Sequence, residues 1–131
     1  MGGVRGEFCP ANAVEARSAI LVAEDEVLIR LEIAEQLRSA GYTVIEAADA
    51  HEALELLHHS AGVKLLVSDI QMPGSIDGVA LARLVRAEFP AIKIILASGH
   101  LLAAAGAEHD GFFRKPFAVA ELVNHIRKLI D

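Results

Sequence analysis

The residues that can do chemistry stand at the ends of apolar runs. Asp69 closes the run Val63-Lys64-Leu65-Leu66-Val67-Ser68 and precedes Ile70-Gln71-Met72-Pro73-Gly74. Glu24 and Asp25 close a second run, Ala19-Ile20-Leu21-Val22-Ala23; Ser98 closes a third, and Lys115 stands before Pro116 after a fourth. If these runs are strands of one sheet, three carboxylates, a hydroxyl and an amine meet at one rim. Crowded carboxylates repel one another, and a hard divalent cation is the usual remedy. Mg2+ takes oxygen ligands in octahedral geometry and keeps several waters. Asp25 and Asp69 can ligate it directly, with Glu24 beside it or acting through water, and the Gln71 backbone carbonyl can supply another oxygen. A phosphoryl group brought there would meet Asp69 as nucleophile, Lys115 as a point charge on one oxygen and Ser98 as a hydroxyl donor to another. Phosphoryl transfer rests on positioning and charge stabilisation, so no general base is needed.

Positioning these groups requires a sheet. The runs Ala19–Ala23, Thr43–Ala47, Lys64–Val67, Ile92–Ala97 and Gly111–Arg114 are expected strands, three of them nearly continuous apolar, as in parallel strands covered on both faces. Helical periods fill the gaps. Val27, Leu28, Leu31, Ala34 and Leu37 share one helical face, and Gly41 is the expected terminator. Asp49 with Glu52 reads as a capping pair opening a helix over Ala50–His59. Asp77 caps a helix carrying Val79, Leu81, Leu84 and Val85, which Pro90 closes; Val119, Leu122, Val123, Ile126 and Ile130 line a last one. Repeated strand–helix alternation implies an α/β, doubly wound, five-stranded parallel sheet with helices on both faces. Ligands of such sheets bind beyond the carboxyl ends of the strands, where Glu24, Asp25, Asp69 and Ser98 fall.

Composition bounds the function. With 131 residues the chain is one domain, expected over residues 18–131, behind an N-terminal extension of residues 1–17 rich in Gly and lacking an apolar period. A net charge of −6 is a poor match for nucleic acid. No apolar run is long enough to span a bilayer or to serve as a signal peptide, so cytoplasmic residence is expected. Cys9 is the only cysteine, which excludes an internal disulfide and a cysteine metal cluster. His51, His58 and His59 lack the i, i+4 spacing of a helical zinc pair.

The ordered fragments Leu21-Val22-Ala23-Glu24-Asp25-Glu26, Ser68-Asp69-Ile70-Gln71-Met72-Pro73 with Asp77-Gly78, Ile95-Leu96-Ala97-Ser98-Gly99-His100 and Phe113-Arg114-Lys115-Pro116-Phe117 resemble the receiver domain of two-component response regulators, over about Ser18 to Ile130. The resemblance implies the flavodoxin-like strand order 2-1-3-4-5. It implies a signalling phosphoacceptor rather than an enzyme, with Asp69 phosphorylated by a sensor histidine kinase or a histidine phosphotransfer protein. Mg2+ at Glu24, Asp25, Asp69 and the Gln71 carbonyl, with Ser98 and Lys115 as phosphate ligands, would accompany that role. It also implies a cis Lys115–Pro116 bond, a conformational switch involving Phe112, and His100 and Gln71 as tuners of acyl-phosphate hydrolysis. A homodimer is admitted, the downstream partner is unnamed, and no output domain lies in this chain. A stand-alone regulator and a module of a hybrid histidine kinase are both compatible.

Three departures from the family pattern stand out. Glu24 replaces the more usual aspartate, its extra methylene altering its reach to a metal. Gly74-Ser75-Ile76 carries one residue more than the common spacing. Only sixteen residues separate Ser98 from Lys115, so the helix between the last two strands (Leu101–Ala105) is expected to be little more than one turn, altering the output surface. Competing classes are a pseudo-receiver that never carries phosphate, an aspartate-nucleophile phosphatase and a flavodoxin-like cofactor binder. The first would lack Asp69, Asp25 or Lys115; the second needs an acid where Gln71 stands; the third needs a phosphate loop where Glu24-Asp25-Glu26 would repel it.

Overall fold

A computed structural model describes residues 18–99 and 108–131. Cys9, His100 and the expected helix at Leu101–Ala105 lie outside the described residues, as does the N-terminal extension. In chain order the elements are β1 (Ala19–Ala23), α1 (Val27–Ser39), β2 (Thr43–Ala47), α2 (Ala50–His59), β3 (Val63–Asp69), α3 (Gly78–Glu88), β4 (Lys93–Ser98), β5 (Gly111–Arg114) and α4 (Val119–Ile130). The strands form one sheet in the order β2-β1-β3-β4-β5. Every adjacent pair is parallel, which is the flavodoxin-like order 2-1-3-4-5. Strand β3 runs from Val63 to Asp69 and β4 to Ser98, so both residues close their strands from inside the ladder.

The pleat divides the core into two halves. Leu21, Ala23, Leu66, Ile94 and Leu96 face Ala53, Leu57, Leu81 and Val85 of α2 and α3. Ile20, Val22, Leu65, Val67 and Ile95 face Ile33, Leu37, Leu122 and Ile126 of α1 and α4. Successive strand residues point to opposite faces, which is why the central strands are apolar throughout.

Local signals end the helices where expected. Asp49 accepts from the Glu52 N–H at 2.8 Å, and Glu52 Oε1 accepts from the Ala48 N–H at 2.6 Å, a reciprocal cap. Asp77 accepts from the Ala80 N–H at 2.9 Å. Gly41, at φ 104°, ends α1: its N–H donates to Arg38 O and the Tyr42 N–H to Leu37 O, a Schellman pair that only a left-handed residue permits cheaply.

The apolar face of α1 differs from expectation. Ile33, Ala34 and Leu37 are buried with Ile29 packed beside them, whereas Val27, Leu28 and Leu31 are 54%, 82% and 39% exposed. The helix carries two apolar stripes. Ile29, Ile33 and Leu37 recur at i, i+4, i+8 and take the core, leaving the other stripe in solvent next to Glu24 and Asp25.

Two polar ties close the far side of the fold. Asp110 Oδ2 accepts from the Ile94 N–H at 2.8 Å and from Arg86 at 3.0 Å, fixing the entry to β5. Partial burial works against the Asp110 carboxylate, but those donors outweigh it and hold its pKa below the ordinary range. Tyr42, the only tyrosine, donates its hydroxyl to Asp131 Oδ2 at 2.7 Å. Burial and the Asp131 carboxylate push its pKa up to about 12. The neutral phenol is therefore favoured by folding, a contribution intact below the ordinary tyrosine value and lost as pH rises through the folded one. With no tryptophan to interfere, tyrosinate absorbance should titrate near 12 in the native chain and near 10 in urea. A native midpoint near 10 would mean that this tie is absent in solution.

Candidate functional site

Backbone bonds at the carboxyl rim of the sheet set the candidate residues. The Glu24 N–H donates to Ala47 O at 3.0 Å, the Ile70 N–H to Ala97 O at 2.9 Å and the Lys115 N–H to Ser98 O at 2.9 Å. Each candidate acid or amine thus sits on, or next to, a bond to the neighbouring strand. Ser68 is fully buried, and its hydroxyl donates to Asp69 O at 2.9 Å.

Gly78 brings α3 against this rim. Its N–H donates to Ile70 O at 2.8 Å. A Cβ at Gly78 would overlap the Asp69 carbonyl oxygen and come within 2.6 Å of Ile70 Cα. Only glycine lets the first turn of α3 lie on the backbone that carries Asp69.

The carboxylate oxygens of Glu24, Asp25 and Asp69 lie within 4.8 Å of one another, the one such metal-competent group of three or more among the described residues. Glu24 and Asp69 are buried and Asp25 is exposed. The Lys115 ammonium donates to Glu24 Oε1 at 2.8 Å and pairs with Asp69 Oδ1 at 3.3 Å. Lys115 and Pro116 are joined by a cis peptide. Ser98 is fully buried at the end of β4, and its hydroxyl donates to Gln71 Oε1 at 3.5 Å; the Gln71 side chain is exposed.

Charge in this cluster is unbalanced. Burial pushes the Glu24 carboxyl above its ordinary range, against the pull of Lys115, and the neighbouring Asp69 adds to the push. Burial likewise pushes Asp69 up, with Lys115 opposing and Asp25 adding. Burial works against the Lys115 ammonium, but Glu24 and Asp69 outweigh it and raise its pKa. One ammonium therefore leaves the two buried acids above their ordinary range. The donor set is all oxygen and short of positive charge, which fits a hard divalent cation.

Sequence reasoning missed Arg30. Its Nη1 donates to Glu24 O at 2.7 Å, and its Nε pairs with Glu46 at 3.3 Å, tying α1 and β2 to the rim. The partner carboxylate is sixteen residues away, a spacing with no local signature. The three histidines of α2 are already partnered: His51 Nε2 lies 2.9 Å from Ser75 Oγ, and His58 and His59 each bond a carbonyl four residues back. The Gly74-Ser75-Ile76 stretch thus reaches His51 through Ser75. Phe112 is partly buried, against the α2–α3 half of the core.

Comparison with known proteins bears on this geometry. The family model for the response regulator receiver domain matches residues 20–127. The chain is 36% identical over 128 residues to the sensor kinase CckA of Brucella abortus (strain 2308), covering 92% of this chain and 13% of that protein. It is 34% identical over 116 residues to the response regulator receiver protein CpdR of the same organism, covering 85% and 95%. Several curated relatives are much longer, the chain spanning 13% to 62% of their length. Among solved structures, the response regulator protein TrrA of Thermotoga maritima, in complex with Mg(2+)-BeF, superposes with a TM-score of 0.76 at 32% identity, covering 86% of this chain and 99% of that one.

Proposed function

Because the chain belongs to the response regulator receiver domain family, we propose that Asp69 is its phosphoacceptor. The observation that carries the assignment is the Lys115 ammonium bridging buried Glu24 and Asp69, with Asp25 alongside. An Asp69 carboxylate oxygen attacks phosphorus of a phosphohistidine. The P–N bond breaks, the imidazole nitrogen takes a proton from solvent, and an aspartyl phosphate remains. The Lys115 ammonium shifts its hydrogen bond from the carboxylates to a phosphoryl oxygen, and the Ser98 hydroxyl donates to another. Mg2+, held by the carboxylates of Asp25 and Asp69 with Glu24 beside them and the Gln71 carbonyl as a further oxygen, would neutralise phosphoryl charge. The two charged states of Asp69 then bias a pre-existing equilibrium, in which Phe112 is the candidate reporter.

The donor is a sensor histidine kinase or a histidine phosphotransfer protein. The exposed Val27, Leu28 and Leu31 support docking of a protein donor, since they put an apolar patch beside the acidic rim. A groove of about 160 Å³, lined by Ile29, Ile33, Pro116 and Phe117, leads from this helix to Lys115. Residues 18–131 form the receiver unit and residues 1–17 an extension. The molecule works in the cytoplasm, with which the want of any helix long and apolar enough to cross a membrane, among the described residues, is consistent.

Beryllofluoride, a phosphoryl mimic, tests the site without a kinase. With MgCl2, the wild type should give a bound fluorine NMR resonance that Asp69→Asn and Lys115→Ala lose. Equal binding by Asp69→Asn would put the phosphoacceptor elsewhere.

A further inference from the structure

Strand β3 ends at Asp69 and begins at Val63. Beside Val63, at the amino edge of the sheet, a cleft of about 660 Å³ opens between the carboxyl ends of α2 and α3. Leu57, Val63, Phe89, Pro90 and Ile92 form its apolar walls. Leu57 and Ile92 are buried, but Val63 and Phe89 are only half-buried and Pro90 is exposed. Among the described residues, no lysine, arginine, aspartate or glutamate lines it. His58 does, and it is already engaged: it pairs with Glu88 at 3.6 Å and meets the Phe89 ring edge-on, with centroids 5.5 Å apart. The cleft therefore offers apolar surface and suits an aromatic or aliphatic group better than a charged one.

The chain itself enters at this cleft. The Ala19 N–H donates to Gly62 O at 3.4 Å, and Ala19 stands beside Val63 in the β1–β3 ladder. Gly62 and Val63 both line the cleft, so the residues before Ser18 leave from its mouth. That segment is seventeen residues long, and its one aromatic side chain is Phe8, followed by Cys9-Pro10. Phe8 stands ten positions before Ser18. Such a stretch spans at most about 35 Å, ample for folding back onto the edge from which it starts. A tether this short keeps Phe8 at an effective concentration on the order of millimolar, so even a weak contact is populated.

We propose that this cleft is an intramolecular docking site for the segment around Phe8, whose ring lies against Phe89 and Pro90 between the ends of α2 and α3. Aromatic rings favour the offset or edge-to-face contact that Phe89 already makes with His58. Pro10, with its φ fixed, loses little freedom on being held. The docked segment covers the apolar walls at the edge opposite Asp69 and leaves the acidic rim open.

Cys9, the only cysteine, lets a nitroxide be placed next to Phe8 without a further substitution. Tyr42 and Thr43 serve as the reference for the tether alone, because the Thr43 N–H donates to Ser18 O on the other side of the chain's entry. In proton–nitrogen NMR of the whole tagged chain, the Phe89 and Ala91 amide signals should lose about twofold more intensity than those of Tyr42 and Thr43. Phe8→Ala should bring the two pairs level. Equal losses in the wild type, or a difference that survives Phe8→Ala, would overturn the proposal. So would the same loss in an untagged nitrogen-15 chain mixed with tagged unlabelled chain, since the occupant would then be a second copy. A second measurement avoids the tag. In the untagged chain, Phe8→Ala should shift the Phe89 and Ala91 amide signals and leave those of Tyr42 and Thr43 in place. Unmoved Phe89 and Ala91 signals would likewise overturn it.

Discussion

Gly78→Ala is expected to lower the unfolding free energy by about 3 kcal/mol, the upper range for overpacking. A new Cβ would collide with the Asp69 carbonyl oxygen and with Ile70 Cα, both backbone atoms. Neither can turn aside as a side chain would. Moving α3 away would break the 2.8 Å bond from the Gly78 N–H to Ile70 O and open the packing of Leu81 and Val85. Moving the β3 end would shift Asp69 relative to Lys115. The urea midpoint should therefore fall with the slope unchanged, and the melting temperature by roughly 10 °C or more for a domain of this size. A loss below about 0.5 kcal/mol would show that the β3–α3 junction yields freely, and that glycine is not required there.

Lys115→Ala should cost about 2–3 kcal/mol at neutral pH, somewhat less than for a fully buried pair, because the ammonium is 22% exposed. The loss comes from what it leaves behind, two buried carboxylates without their cation. Folded Glu24 and Asp69 already titrate above their ordinary range. Their contribution to stability is therefore complete below about pH 4 and declines as pH rises through the folded values. Without Lys115 those values rise further, so the gap between variant and wild type should be small near pH 4 and full at pH 7. Asp69→Asn in the same chain should recover much of the loss by removing one of the stranded charges. Denaturation curves at the two pH values decide the matter: a gap independent of pH, unrelieved by Asp69→Asn, would mean that Lys115 acts through packing of its methylene stem alone.

Much of this arrangement is readable along the chain because it depends on local chemistry. The caps at Asp49 and Asp77, the left-handed Gly41 and the apolar central strands each follow from residues within a few positions. Parallel strands starting on one edge must end on the other, and that brings Glu24, Asp25, Asp69 and Ser98 to a common rim. What escaped was decided by tertiary contact. On α1 two apolar stripes satisfied the same period, and only packing against Tyr42, Val44 and Ile126 shows that Ile29, Ile33 and Leu37 take the core. The close approach of Gly78 to Asp69 is invisible without both backbones, although the glycine itself was conspicuous. Arg30 reaches Glu24 and Glu46 across two elements, and the preference of Lys115 for Glu24 over Asp69 depends on a few tenths of an ångström.

The most direct measurement is the intact mass of the chain after incubation with acetyl phosphate and MgCl2. A single phosphoryl addition is expected in the wild type, dependent on Mg2+ and lost in Asp69→Asn. Addition that persists in Asp69→Asn, or no addition to a folded wild type that binds Mg2+, would contradict Asp69 as the phosphoacceptor.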